Sequence, residues 1–152
     1  MKSDLTQRFP FLVNEVARLY GGHFDQLARE KIGLSRAQCR LLGVLAMEGG
    51  PLSQSALAAR LDLSTMTVTS LCDRMEASGW IRRAGSDNDR RVNYIHLEAC
   101  AEKALDSAML ISDSIQARVL AGFDKAERQQ LLGLLRRVHE NLLALPSPGS
   151  SK

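Results

Sequence analysis

The sequence predicts a mainly α-helical domain that carries one small β-hairpin. Three observations support this class. Apolar residues recur at three- and four-residue steps along most of the chain, as they do on the buried side of amphipathic helices. Serine, aspartate and glycine stand where such helices would begin and end. Two short β-prone runs interrupt the helical pattern near the middle. We expect one domain over residues 1–145 and a disordered Pro/Ser/Gly tail over residues 146–152.

The composition is that of a globular protein, with 45% hydrophobic and 24% charged residues. The chain has no cationic start leading into an apolar stretch, and no apolar run approaches the ~18 residues that span a bilayer. The expected location is therefore the cytoplasm.

The three cysteines, Cys39, Cys72 and Cys100, form no C-x-x-C pair, and the histidines lack metal-ligand spacing. We expect no metal and no cofactor.

The net charge of +3 is concentrated in the middle of the chain. Residues 31–97 hold nine basic and six acidic groups, whereas the segments before and after them are each neutral. An anion-binding surface is therefore expected in this middle segment.

Long helices are predicted on both sides of that segment. One covers roughly residues 5–31, one runs from about 98 to 120, and one follows the capping box that begins at Asp124. Their apolar stripes exceed what a small core can cover, so residues 1–33 and 98–145 are predicted to hold a homodimer together.

The middle segment, residues 34–97, contains three shorter helices and the hairpin. Ser35 with Gln38 forms a capping box, and Ser53 and Ser64 are placed to cap the next two helices. The helix after Ser64 has a buried stripe that includes Val68, and its outer face carries short polar side chains. The β-prone runs, residues 80–83 and 92–97, would pair as a hairpin with arginines near its tip.

Two short helices joined by a tight turn, followed at once by a basic hairpin, favour binding to duplex DNA. A capped helix with short polar side chains fits the major groove, and arginines on a hairpin suit the phosphates or the minor groove. The architecture expected is a winged helix-turn-helix.

The chain resembles the MarR family of winged-helix regulators over most of its length. The segments that carry the resemblance are Ser53-Gln54-x-x-Leu57-Ala58, Thr67-Val68-Thr69-x-Leu71-x-Asp73-Arg74, and Ile81-x-Arg83 followed by Asp89-Arg90-Arg91. The resemblance implies a homodimeric, sequence-specific DNA-binding transcription regulator, commonly a repressor. Its implied partners are a palindromic operator and a small effector, such as an aromatic or phenolic compound.

Candidate site residues follow from the helix pattern together with this resemblance. The predicted DNA contacts are Ser53, Ser64, Thr65, Met66, Thr67, Thr69, Ser70, Arg74, Arg82, Arg90 and Arg91. The resemblance implies that Asp73 and Asp89 orient the wing. It also implies an effector site near Tyr20, His23, Phe24 and Arg40.

Other functions remain open at this point. A redox sensor would use an accessible thiol, for which Cys39 and Cys100 are the candidates. A winged helix can also serve as a protein-interaction module without DNA. We expect no enzyme, because no Gly-rich phosphate loop, nucleophile elbow or zinc-protease motif occurs in the sequence.

Overall fold

The computed structural model describes residues 4–85, 88 and 91–146, and these contain six α-helices and three short strands. The helices are α1 (Phe9–Ile32), α2 (Arg36–Glu48), α3 (Gln54–Leu61), α4 (Thr65–Ala77), α5 (Cys100–Val119) and α6 (Lys125–Leu143). The strands are β1 (Leu52–Ser53), β2 (Ile81–Gly85) and β3 (Asn93–Leu97). The predicted fold class, mainly α with a β-hairpin wing, is confirmed.

Local capping sets most helix boundaries. The side chain of Ser35 accepts a hydrogen bond from the backbone N–H of Gln38 at 3.1 Å, and the Gln38 side chain accepts from the Ser35 N–H at 2.8 Å. The same reciprocal pair joins Asp124 and Glu127 at the start of α6. Both capping boxes were predicted from the sequence.

The predicted start of the first helix needs correction. A 3₁₀ turn at Leu5–Gln7 comes first, and α1 begins only at Phe9, with Pro10 in its first turn. Proline is favoured at this position because the first N–H groups of a helix have no intrahelical partner. The Gly21-Gly22 pair does not interrupt α1.

The sheet has one strand more than the two predicted. β3 lies in the centre and pairs antiparallel with β2 on one side and with β1 on the other, where Leu52 faces Ile95. β1 is two residues long, and Ser53 is also the N-cap of α3. So short a strand leaves no alternating pattern for the sequence to reveal.

The residues up to Ile115 form one compact unit, and those from Gln116 onward form a second. Buried side chains of the first unit come from α1 to α5 and from the sheet, and they include Leu41, Leu57, Val68 and Ile95, each fully buried. This core fixes α4 beside the hairpin.

In the second unit, the guanidinium of Arg128 donates hydrogen bonds to the carbonyls of Leu120 at 2.9 Å and Phe123 at 3.0 Å. These bonds satisfy carbonyl groups at the end of α5 and in the turn that follows. α6 has no buried residue.

Candidate nucleic-acid interface and effector cavity

The outer face of α4 presents short polar side chains at the start of a capped helix. The Ser64 hydroxyl accepts a hydrogen bond from the backbone N–H of Thr67 at 3.1 Å, and the two hydroxyls lie 2.8 Å apart. All the candidate residues on this helix and its cap are exposed, namely Ser64, Thr65, Met66, Thr67, Thr69, Ser70 and Arg74. The helix therefore offers free N–H groups and a polar surface on one side.

The N-terminus of α3 is tied to both the sheet and α4. Ser53 pairs with Tyr94 in the sheet, and its hydroxyl accepts a hydrogen bond from the Ala56 N–H at 3.2 Å. The next residue, Gln54, donates a side-chain hydrogen bond to the hydroxyl of Thr69. The two helices are thus joined through polar atoms at their exposed edge, a link that the sequence did not reveal.

Arg83, rather than Arg82, lies beside α4. Successive residues of a strand point to opposite faces of the sheet. Arg83 donates to the carbonyl of Thr69 at 3.1 Å and forms an ion pair with Asp73 at 2.6 Å. Arg82 points the other way and lies 3.5 Å from Glu98. Arg82 thus lies on the face of the hairpin opposite to Arg83, and its contact with DNA stays a prediction.

Several contacts fix the position of Arg83. Its backbone N–H donates to the carboxylate of Glu76 at 2.8 Å, and only 20% of its side chain is exposed. Burial acts to lower the pKa of Arg83, but the hydrogen bond and charge of Asp73, together with the nearby Cys72 and Glu76, outweigh it and raise the pKa. Asp73 therefore pairs with an arginine at the base of the hairpin. Side chains alternate between the two faces of β2, and this alternation was the sequence signal that could have identified Arg83 as the partner of Asp73.

The tip of the hairpin is only partly described. Asp89 and Arg90 lie outside the described residues, as do residues 147–152 of the expected tail. Arg91 is exposed and directly precedes the residues that lead into β3.

A cavity of about 400 Å³ lies between α1, α2 and α5. Three of the four predicted effector residues, Tyr20, Phe24 and Arg40, line it. The Tyr20 and Ser112 hydroxyls lie 2.6 Å apart and connect α1 to α5. The remaining lining residues are Arg36, Cys39, Leu105, Ala108 and Met109. The cavity thus combines an aromatic and aliphatic wall with two guanidinium groups and a hydroxyl pair.

The structure does not bring His23 into this cavity. His23 is exposed on α1, one residue before Phe24, and so points about 100° away around the helix. Arg36 lines the cavity instead, and its guanidinium lies against Gly21. A Cβ atom at Gly21 would lie only 2.6 Å from Nη1 of Arg36.

The cysteines differ in access. Cys39 is 7% exposed, and burial, with a further effect from the charge of Asp25, raises the pKa of its thiol to about 11. The expectation that Cys39 is accessible is therefore wrong, since its thiol is buried in the wall of the cavity. Cys72 is fully buried, and burial raises its pKa as well. Cys100 is exposed, and its thiol donates to the carbonyl of Gly79 at 3.1 Å.

Within residues 4–85, 88 and 91–146, no three His, Cys, Asp or Glu side chains are grouped as metal ligands. In the same part of the chain, no helix has the length and apolar content needed to cross a membrane.

Comparison with known proteins gives a consistent result. A family model described as the MarR family matches residues 32–92, which contain α2, α3, α4 and β2. The chain is 30% identical over 115 residues to the HTH-type transcriptional regulator PecS of Dickeya dadantii (strain 3937), covering 74% of this chain and 69% of that protein. It is 26% identical over 125 residues to the transcriptional regulator HosA of Escherichia coli O127:H6, covering 82% and 92%.

A solved structure has the same fold. The transcriptional regulator of the MarR family from Rhodococcus sp. RHA1 superposes with a TM-score of 0.77 at 20% identity, covering 90% of this chain and 96% of the other. At this identity the likeness shows the fold, here the winged helix-turn-helix with its flanking helices. Together with the matched family model and the identity to PecS, it shows that the chain belongs to the MarR family of DNA-binding transcriptional regulators.

Proposed function

We propose that this regulator is a non-enzymatic homodimeric repressor that binds a palindromic operator and leaves it when a small aromatic acid binds. The observation that supports operator binding best is the α4 surface, where exposed hydroxyl-bearing side chains lie next to a hairpin held in place by Arg83. We also propose that it acts in the cytoplasm, where DNA lies in the bacteria that supply its relatives.

In the proposed complex, α4 enters the major groove and the hairpin follows the adjacent backbone. Ser64, Thr65, Thr67 and Ser70 would meet base edges or phosphates, and Arg74 lies further along the same helix. Ser53 at the start of α3 would face a phosphate. Two-fold symmetry would place the half-sites about one helical turn, roughly 10 base pairs, apart.

The wing arginines provide the test of this mode. Replacing Arg90 and Arg91 together by alanine should weaken binding to every duplex, because phosphate contacts carry no sequence information. Each lost phosphate contact should reduce the slope of log K against log salt by about one unit. The measurement is fluorescence anisotropy at several salt concentrations.

The matched control is the double variant Arg136→Ala/Arg137→Ala on α6, which removes the same charge from exposed positions outside the winged segment. Its salt slope should stay at the wild-type value. Equal slopes for all three proteins would reject the wing as a DNA contact.

The effector proposal depends on the chemistry of the cavity wall. Arg36 and Arg40 could bind a carboxylate, the ring would lie against Phe24, and the Tyr20–Ser112 hydroxyl pair could bond a ring substituent. Calorimetry with benzoate and with benzyl alcohol, its uncharged analogue, tests this arrangement. Benzoate should bind more tightly, and Arg40→Met should remove the difference. Equal binding of both probes to wild-type protein would exclude a carboxylate site.

A further inference from the structure

The hydroxyl of Thr69 is held in one orientation by two hydrogen bonds. It donates to the backbone carbonyl of Thr65 at 2.8 Å, and it accepts from the side-chain amide of Gln54. A hydroxyl has one proton and two lone pairs. The proton and one lone pair are therefore occupied within the protein, and one lone pair remains for an external donor.

The same geometry fixes the orientation of the Gln54 amide. If its oxygen faced Thr69, two acceptors would compete for the single hydroxyl proton, which already bonds to Thr65. The amide nitrogen must therefore face the hydroxyl. Gln54 is partly buried at the first position of α3. α3 in turn packs against α4.

Thr69 is also fixed from the side of the hairpin. Its carbonyl accepts a hydrogen bond from Arg83 at 3.1 Å, so α3 and β2 both bond to this one residue of α4. Thr69 is the fifth residue of α4, and it is exposed on the outer face. The N-terminal residues of a recognition helix are those that reach base edges.

We propose that Thr69 reads one base of each half-site purely as a hydrogen-bond acceptor, and that Gln54 is the positioning residue that imposes this restriction. The inference rests on the proposed placement of α4 in the major groove. There, adenine and cytosine present amino groups, whereas guanine and thymine present only acceptor atoms or a methyl group. On the strand that it faces, Thr69 therefore favours a base with an amino group, adenine or cytosine, over a base with a keto group, guanine or thymine. It discriminates poorly between adenine and cytosine.

Selection of bound duplexes from a randomised library by the purified full-length protein, followed by sequencing, tests this proposal. Wild-type protein should show one position per half-site where adenine and cytosine are preferred. Thr69→Val keeps the shape of the side chain and removes the hydroxyl, so it should reduce that preference by about three- to tenfold, the effect of one hydrogen bond. Thr69→Ser keeps the hydroxyl and should retain the preference.

Gln54→Ala should weaken the preference at the same position and at no other. Because Gln54 acts through Thr69, the double variant Gln54→Ala/Thr69→Val should lose no more than Thr69→Val alone. The matched control is Gln26→Ala, which removes a glutamine that bonds Glu30 at 3.1 Å on α1. Gln26→Ala should leave the base preference at every operator position unchanged.

Several outcomes would overturn the inference. A Thr69-dependent preference for guanine or thymine would mean that the hydroxyl donates. An unchanged preference in Gln54→Ala, or additive losses in the double variant, would remove Gln54 from the positioning role. Wild-type protein that selects no sequence at all would instead reject the proposed operator recognition, and this inference with it.

Discussion

Two adjacent glycines in α1 have different surroundings. A Cβ at Gly21 would lie 2.6 Å from Nη1 and 2.8 Å from Cζ of Arg36, whereas a Cβ at Gly22 meets no atom within 4 Å. Alanine is a better helix former than glycine by about 1 kcal/mol. Gly22→Ala should therefore raise the free energy of unfolding by about 0.5–1 kcal/mol. Gly21→Ala should raise the free energy of unfolding by less, because the Arg36 side chain must move.

Urea unfolding at a fixed protein concentration measures both variants, and Gly22→Ala is the matched control for Gly21→Ala. Moving Arg36 should also weaken benzoate binding in Gly21→Ala alone. Equal stability gains together with unchanged benzoate affinity would show that the contact between Gly21 and Arg36 has no consequence.

At the scale of secondary-structure elements, Asp25 joins α1 to α2. Its carboxylate accepts from Arg29 at 2.7 Å and from the backbone N–H of Arg36, the first residue of α2, at 2.7 Å. These two hydrogen bonds hold the pKa of Asp25 below its ordinary value, and the bond from Arg29 has the larger effect. The carboxylate thus caps α2 from a neighbouring helix.

This cap predicts a pH-dependent loss of stability. A lowered folded-state pKa stabilises the fold above the unfolded-state pKa, about 4, and that stability is lost as the pH falls through the folded-state value. Asp25→Asn should lower the free energy of unfolding at pH 7 by about 0.5–1 kcal/mol, a modest effect because the side chain is 35% exposed.

Denaturant unfolding between pH 2 and pH 8 is the measurement. The difference between wild type and Asp25→Asn should be constant above about pH 5 and should shrink towards pH 2. Asp106→Asn, at an exposed position of α5, is the control for the loss of one surface carboxylate. A difference that persists unchanged at pH 2 would contradict the prediction.

At the scale of the whole molecule, the exposed apolar surface predicts the oligomeric state. Phe9, Leu12, Val16 and Leu19 of α1 are 46–63% exposed. On α6, the exposed apolar residues are Leu132, Leu134, Leu135, Leu142 and Leu143. Exposed apolar side chains in such number are unusual for a monomer and are typical of association surfaces. We therefore expect a stable homodimer.

Analytical ultracentrifugation at micromolar concentration tests this expectation. Leu135→Asp should weaken dimerisation by roughly tenfold or more, because an unpaired charge in an interface costs a few kcal/mol. The matched control is Met47→Asp, which adds the same charge at an apolar side chain that is 82% exposed on α2. It should remain dimeric. A folded wild-type monomer would contradict the expectation.

The sequence by itself determined the features that depend on near neighbours. The capping boxes at Ser35 and Asp124, the N-cap at Ser64 and the buried stripe through Val68 were all predicted and are all present. Each depends on residues three or four positions apart, whose relation is fixed once a helix forms. The family resemblance likewise came from local motifs, and the comparisons confirm it.

Only the tertiary structure decided which distant side chains meet. It paired β1 with β3, placed Arg83 rather than Arg82 beside α4, excluded His23 from the cavity, and bonded Gln54 to Thr69. These contacts join residues that the sequence relates by no fixed spacing. Their geometry follows from how the helices and the sheet pack around a shared core, because the packing sets the distance and direction between side chains of different elements.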